Sequence, residues 1–228
     1  MLTLKLKKMK SILYTLLFVS TIAFSQQIEI NNLRDVFTLK NNLNPYSANS
    51  NIKGTPFIHA EFQNITIQGN EMKGKYNANQ DYIELDKEGK TVFFLPAIEY
   101  RYEVMFTDLN VSYRAFKYED LKYTFYKILS KKGEVYLLAK EFINLKPEVI
   151  AKSNYDVSKP ARFQREKDVY FIQFSGKDLV VELPTRKSKF LKVFGENSNV
   201  IKNFMKKEKL NIKKEIDLIK IFDYFTTL

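Results

Sequence analysis

Four glycine-centred turns, each set between short runs of β-branched and aromatic residues, do most to restrict what this chain can fold into. Gln68-Gly69-Asn70 separates Phe62–Ile67 from Met72–Tyr76, and Lys87-Glu88-Gly89-Lys90 separates Tyr82–Leu85 from Thr91–Leu95. Lys131-Lys132-Gly133 separates Tyr123–Leu129 from Val135–Ala139, and Ser175-Gly176-Lys177-Asp178 separates Val169–Phe174 from Leu179–Leu183. Glycine reaches positive φ without steric cost, and tight hairpin turns need that conformation. The clearest alternation runs from Ile98 to Thr107. Ile98, Tyr100, Tyr102, Val104 and Phe106 share one face, opposite Glu99, Arg101, Glu103 and Thr107. Period two over ten residues is the mark of a strand with one wet side.

The aromatic content strengthens that reading. There are 19 Phe and 14 Tyr but no Trp, and Phe and Tyr favour pleated, half-buried surfaces. Nothing alternates in the βαβ manner, so a doubly wound sheet is not expected. Residues 144–166 interrupt the strands with two prolines and mixed polarity, which reads as a long connection.

After residue 185 the period changes. Lys189–Phe194 reads as a short helix closed by Gly195. Asn197 or Ser198 is placed to cap a helix carrying Val200, Ile201, Phe204 and Met205 on one side. Asn211 is placed to cap another, with Leu218, Ile219, Phe222 and Phe225 on its apolar stripe. The expected fold class is therefore α+β: an antiparallel β-meander curling into a sandwich or partly open barrel, with a C-terminal pair of amphipathic helices.

The amino terminus reads as an export signal. Lys5, Lys7, Lys8 and Lys10 precede an uncharged, mostly apolar run from Ser11 to Phe24, and Ala23 and Ser25 supply small residues at a cleavage site. That run is shorter than the roughly 20 residues a membrane-spanning helix needs. Residues 26–53 are rich in Asn, which favours turns over regular structure. The expected organisation is a signal peptide over 1–25, an Asn-rich tether over 26–53, a β-rich domain over 54–185 and a helical hairpin packed on the sheet over 186–228. Such a protein is exported to the periplasm or beyond, and is not integral to the membrane once the signal is removed.

Composition excludes several chemistries. Without cysteine there is no disulfide framework, thiolate metal site, Fe–S cluster, cysteine nucleophile or lipid-modified cysteine. His59 is the only histidine, so no His-based metal site or triad is signalled around it. No phosphate-binding glycine loop, G-x-S-x-G elbow or H-E-x-x-H pair is present. Asp81, Glu84, Asp86 and Glu88 resemble a charged hairpin tip more than a calcium loop. Glu99 and Glu103 flank Arg101, which favours two anions over an acid–base pair. No metal, cofactor or catalytic residue is assigned from the sequence.

What remains is charge. The formal net charge is +11, and residues 151–228 carry 17 Lys and Arg against 10 Asp and Glu. A basic end points to an anionic partner, although lysine-rich helices also simply present solvated faces. The cations most available to a partner are Lys159, Arg162, Arg165, Lys206, Lys207, Lys213 and Lys214. An anionic envelope component (lipid head groups or polysaccharide) or another envelope protein is the expected partner. Nucleic acid is not, because the aromatics of this region lie on apolar helix stripes and not among the cations. The sequence thus favours a non-catalytic binding or structural module. The alternative is an envelope hydrolase whose carboxylates come from distant strands.

Three stretches carry a family resemblance: Gly54-Thr55-Pro56-Phe57, Lys159-Pro160-Ala161-Arg162-Phe163, and the tail Lys209-Leu210-Asn211-Ile212 with Asp217-Leu218-Ile219-Lys220, Tyr224-Phe225 and Leu228. Over residues 54–228 this layout resembles an uncharacterised family of exported proteins common in Bacteroidota. The resemblance implies an envelope location and brings no activity, cofactor or site residue with it.

Overall fold

The computed structural model describes residues 52–87, 89–97, 102–119, 122–151, 155–177 and 179–228. The expected signal segment and all but the last two residues of the expected tether lie outside them, as do Ile98–Arg101 of the alternating run.

The strands are β1 (Gln63–Ile67), β2 (Asn70–Asn77), β3 (Tyr82–Lys87), β4 (Lys90–Phe94), β5 (Val104–Phe106), β6 (Val111–Lys117), β7 (Tyr123–Lys132), β8 (Val135–Lys140), β9 (Ile143–Lys146), β10 (Arg162–Arg165), β11 (Val169–Gln173) and β12 (Val180–Glu182). Ten of them build one antiparallel sheet in the order β12-β11-β8-β7-β6-β5-β1-β2-β3-β4. The sheet is not closed: its edge strands β12 and β4 are not paired with each other. All four glycine turns join neighbouring strands as expected. At the first, Gln68 and Gly69 both have positive φ, which matches the twist of the flanking strands.

Two features depart from a plain meander. After β4 the chain returns to the other side of β1, so β5 pairs with β1 and only then leads into β6. The alternating run expected over Ile98–Thr107 contributes a described strand only at Val104–Phe106. It ends in a single 3-10 turn, Thr107–Leu109, because Asn110 at φ 52° reverses the chain into β6. Asn is among the few non-glycine residues that reach this left-handed region readily. The second departure is inside the long connection. β9 and β10 pair with each other as a separate ribbon, and Lys53 hydrogen-bonds across to Ala161 and Phe163 beside it. Gly54 (φ 82°) packs against Phe163, and a Cβ there would stand 3.3 Å from the Phe163 carbonyl oxygen. Two of the three stretches quoted above therefore lie against each other.

Residues paired across an antiparallel ladder share a face. Following the register places Ile65, Tyr76, Ile83, Phe94, Val104, Phe106, Tyr113 and Phe125 on one face, all buried. Phe94 on edge strand β4 stands 5.7 Å from Phe125 on β7, and Tyr76 stands 4.8 Å from Tyr113, so this end of the sheet curls over that face. Gly74 permits the curl: a Cβ there would stand 2.6 Å from Ile65 Cδ1.

The other end curls the opposite way. Phe116, Tyr126, Tyr136, Leu138, Phe171 and Val180 make a second core on the opposite face. A parallel bridge from Lys117 to Leu179 brings the start of β12 back to β6, and Tyr118 donates to Glu182 at 3.2 Å.

Three helices follow: α1 (Lys187–Lys192), α2 (Ser198–Lys207) and α3 (Glu215–Phe225). Their apolar sides bury Phe190, Ile201, Met205, Leu218, Ile221 and Phe222 against Leu137 of β8 and Ile172 of β11. A bulge between Ile128 and Ser130 turns Ser130 toward the helices, where its hydroxyl donates to Asp223. Phe204 and Tyr224 stack at 4.0 Å and join α2 to α3. The expected caps differ in detail. Asn197 makes no side-chain cap, and α3 begins after Lys214 and not at Asn211. Asn211 instead accepts from the Lys213 amide and donates its own amide to Asp217, which holds the connection before the helix. No helix among the described residues is long and apolar enough to cross a membrane.

Candidate functional site

The fold distributes the seven cations singled out in the sequence over several elements. Lys159 is exposed where its backbone pairs with Val149. Arg162 and Arg165 bound β10, Lys206 and Lys207 end α2, and Lys213 and Lys214 lie exposed in the α2–α3 connection. Arg165 is occupied from within: its guanidinium lies 2.5 Å from Asp168 and 3.0 Å from the buried Glu141. Glu141 also accepts from Tyr113. A guanidinium already held by two carboxylates is a poor ligand for an external anion. Arg162 reaches toward Gln164 on its own strand.

Lys213 alone of the seven lines a cleft of about 590 Å3 at the outer end of the helix–sheet junction. Two cations not selected from the sequence join it: Lys167, just before β11, and Arg186, just before α1. The three are exposed, and none forms an ion pair with a described residue. Two acids also line the cleft, but Asp168 is engaged by Arg165 and Glu182 accepts from Tyr118. The floor is apolar, with Leu183, Phe190 and Leu218 continuous with the helix core. Lys167 and Arg186 escaped sequence selection because each precedes a different element. Only the pairing of β11 with β12 brings them to one place.

Four acids from the sequence analysis each have a partner among the described residues. Asp81 lies 2.5 Å from Lys140, Glu84 lies 3.6 Å from Lys75, Asp86 caps the Gly89 amide, and Glu103 pairs with Lys131 at 2.7 Å. Glu84 is nonetheless raised above its ordinary value, because burial outweighs Lys75. His59 is exposed, and no cluster of three or more His, Cys, Asp or Glu capable of holding a metal occurs among the described residues. Asn64 and Asn110, which both begin Asn-x-Ser/Thr triplets, have structural tasks: Asn64 donates to Asp108, and Asn110 makes the β5–β6 turn.

The most deeply buried charges form a separate network. Lys140 donates to Asp81, to the Tyr76 hydroxyl and to the Phe125 carbonyl. Burial lowers the Lys140 pKa, and Asp81 opposes that shift. Tyr76 and Tyr113 are pushed well above the usual phenol range, first by burial and then by Asp81 and Glu141 respectively. This network holds the β2–β3 turn against β7 and β8, and is fully committed inside the fold.

No family model, no curated protein and no solved structure matches the chain.

Proposed function

We propose that this is an exported, non-catalytic binding module of the bacterial envelope whose basic cleft takes an anionic partner. The amino-terminal signal and the resemblance to exported Bacteroidota proteins support the location. In this reading the strongly curled half of the sheet is a partly open barrel that serves as scaffold, and the helices carry the binding edge.

The observation that carries the proposal is the convergence of Lys167, Arg186 and Lys213 over an apolar floor, three cations against the carboxylate of Glu182, with Asp168 paired to Arg165. Cations beside the half-buried apolar lining of Val169, Tyr170, Pro184 and Ile212 suit an amphiphilic anion, whose head is attracted by charge and whose tail is removed from water. Anionic lipid fits that description better than a fully solvated polysaccharide.

Co-sedimentation with phosphatidylglycerol vesicles, with phosphatidylcholine vesicles and with an acidic polysaccharide, each at low and high salt, tests the proposal. Binding to phosphatidylglycerol that weakens steeply with salt, and is lost in Lys167→Glu/Lys213→Glu, is expected. Absence of binding at low salt, or equal binding by the double variant, overturns it.

A further inference from the structure

An anionic lipid can meet a protein in two physical forms: as the face of a bilayer, or as a single molecule that has left one. The shape of the basic cleft separates them. Its three cations and its half-buried apolar residues Tyr170, Pro184 and Ile212 line one recess of about 590 Å3. That size falls within the range of sites for single small molecules. A protein that lies on a bilayer instead pushes an apolar surface outward into the acyl chains. Chains packed in a bilayer do not reach side chains inside a recess unless one lipid leaves its neighbours.

The volume also limits what can enter. With a methylene taking up as much room as a water in the liquid, ~30 Å3, the cleft admits on the order of twenty non-hydrogen groups. A phospholipid with two chains and its head exceeds that allowance. One medium-length chain with an anionic head fits it.

The chain holds the lining segments in place by its own hydrogen bonds. The Leu183 amide donates to the Tyr170 carbonyl at 2.8 Å, which closes the β11–β12 ladder just before Pro184. The Arg186 carbonyl accepts from the amides of Lys189 and Phe190 as α1 begins. In the α2–α3 connection, the Asn211 amide donates to Asp217 at 2.9 Å, and the Asn211 side chain accepts from the Lys213 amide at 3.0 Å. Ile212 and Lys213, one apolar and one cationic, are thereby fixed next to each other. A site whose walls are set beforehand loses less freedom on filling.

We propose that the cleft binds one single-chain anionic amphiphile at a time: an acyl or alkyl chain ending in a carboxylate or a phosphate. This inference rests on the basic-cleft reading above and narrows it from a lipid surface to a released single-chain lipid. Lys167, Arg186 and Lys213 attract the head, and the half-buried lining shelters part of the tail.

The test is isothermal titration of the full exported chain with octanoate, decanoate, dodecanoate and dodecyl phosphate, each below its aggregation concentration. Dodecyltrimethylammonium is the cationic control, and phosphatidylglycerol vesicles are run in parallel. One-to-one binding of dodecanoate or dodecyl phosphate is expected, with or without vesicle binding, and the stronger of the two identifies the head. Affinity should rise about two- to fourfold per methylene along the carboxylate series, the upper value corresponding to full burial of each CH2. The cationic control should bind far more weakly. Lys213→Glu alters an exposed side chain, so the melting temperature should hold while dodecanoate weakens about tenfold or more. Vesicle binding without binding of any monomer overturns this inference and leaves the anionic-lipid reading standing. Failure of vesicles and monomers alike removes both. Affinity independent of chain length, equal binding of the cationic control, or undiminished binding by a folded Lys213→Glu protein also overturns it.

Discussion

The Lys140 ammonium lies 2.5 Å from the Asp81 carboxylate, and this contact pins the β2–β3 turn onto the strands at the centre of the sheet. Asp81 also accepts from the Tyr76 hydroxyl at 2.8 Å and from the Phe125 amide. The turn is further held by Asn79, which donates to the Ile143 carbonyl at 2.8 Å.

Asp81→Asn is expected to cost about 3–5 kcal/mol, because it strands a buried ammonium. Asn keeps the positive φ of 61° at this position, so the loss reports charge and not backbone strain. Lys140→Met should cost less, since it removes the buried charge and leaves Asp81 its other two donors. Urea unfolding of both variants checks the order, and a larger loss in Lys140→Met contradicts the account.

Alkaline stability follows from the same network. Unfolded tyrosines lose their protons near 10.0, whereas Tyr76 and Tyr113 hold theirs well above that value in the fold. Their contribution is present in full below 10.0 and lost as the pH climbs through the folded values. Lys140 acts in the opposite sense. Its depressed value makes the unfolded state hold more protons up to its ordinary 10.5, so its effect is spent there. Net stability should therefore fall above pH 10.5, and Tyr113→Phe should flatten part of that fall. Urea midpoints measured across the alkaline range decide it. A variant as pH-sensitive as the parent contradicts the assignment.

Gly74→Ala is expected to destabilise by about 1–3 kcal/mol through overpacking, because the new methyl meets Ile65 Cδ1 at 2.6 Å and Leu85 Cδ2 at 3.2 Å. Ile65→Val deletes that Cδ1. In a double-mutant cycle it should recover part of the loss. Strict additivity would show that the two groups do not compete for the same space.

At the β5–β6 turn, Asn110→Gly should be tolerated within a few tenths of a kcal/mol. Asn110→Val should cost about 1–2 kcal/mol, because β-branched residues fit the left-handed region poorly. Thermal unfolding of the pair is the measurement. Equal melting temperatures would show that the φ of 52° is not enforced.

The parts of the fold that could be read from the chain are those written in local conformational demand. Glycine at positive φ between apolar runs marked four hairpins, and the 3.6 period marked the helical end. The β5–β6 hairpin escaped because Asn110, not glycine, supplies its reversal. The β9–β10 ribbon escaped because its two strands pair across an intervening segment that has no local signal. Site residues were legible only as charge. Nothing near Arg165 in sequence shows that Glu141 would claim it. Nothing local joins Lys167 to Arg186, because the pairing of β11 with β12 and not sequence spacing makes them neighbours.

β6 and β7 belong to both cores at once. Tyr113 and Phe125 face the curl built with β1–β4, while Phe116 and Tyr126 face the second core on the other side. Neither lobe can loosen without disturbing the wall it has in common with the other. Backbone amides along this strand pair should accordingly be the last to exchange with deuterium, and the two lobes should melt as one cooperative unit.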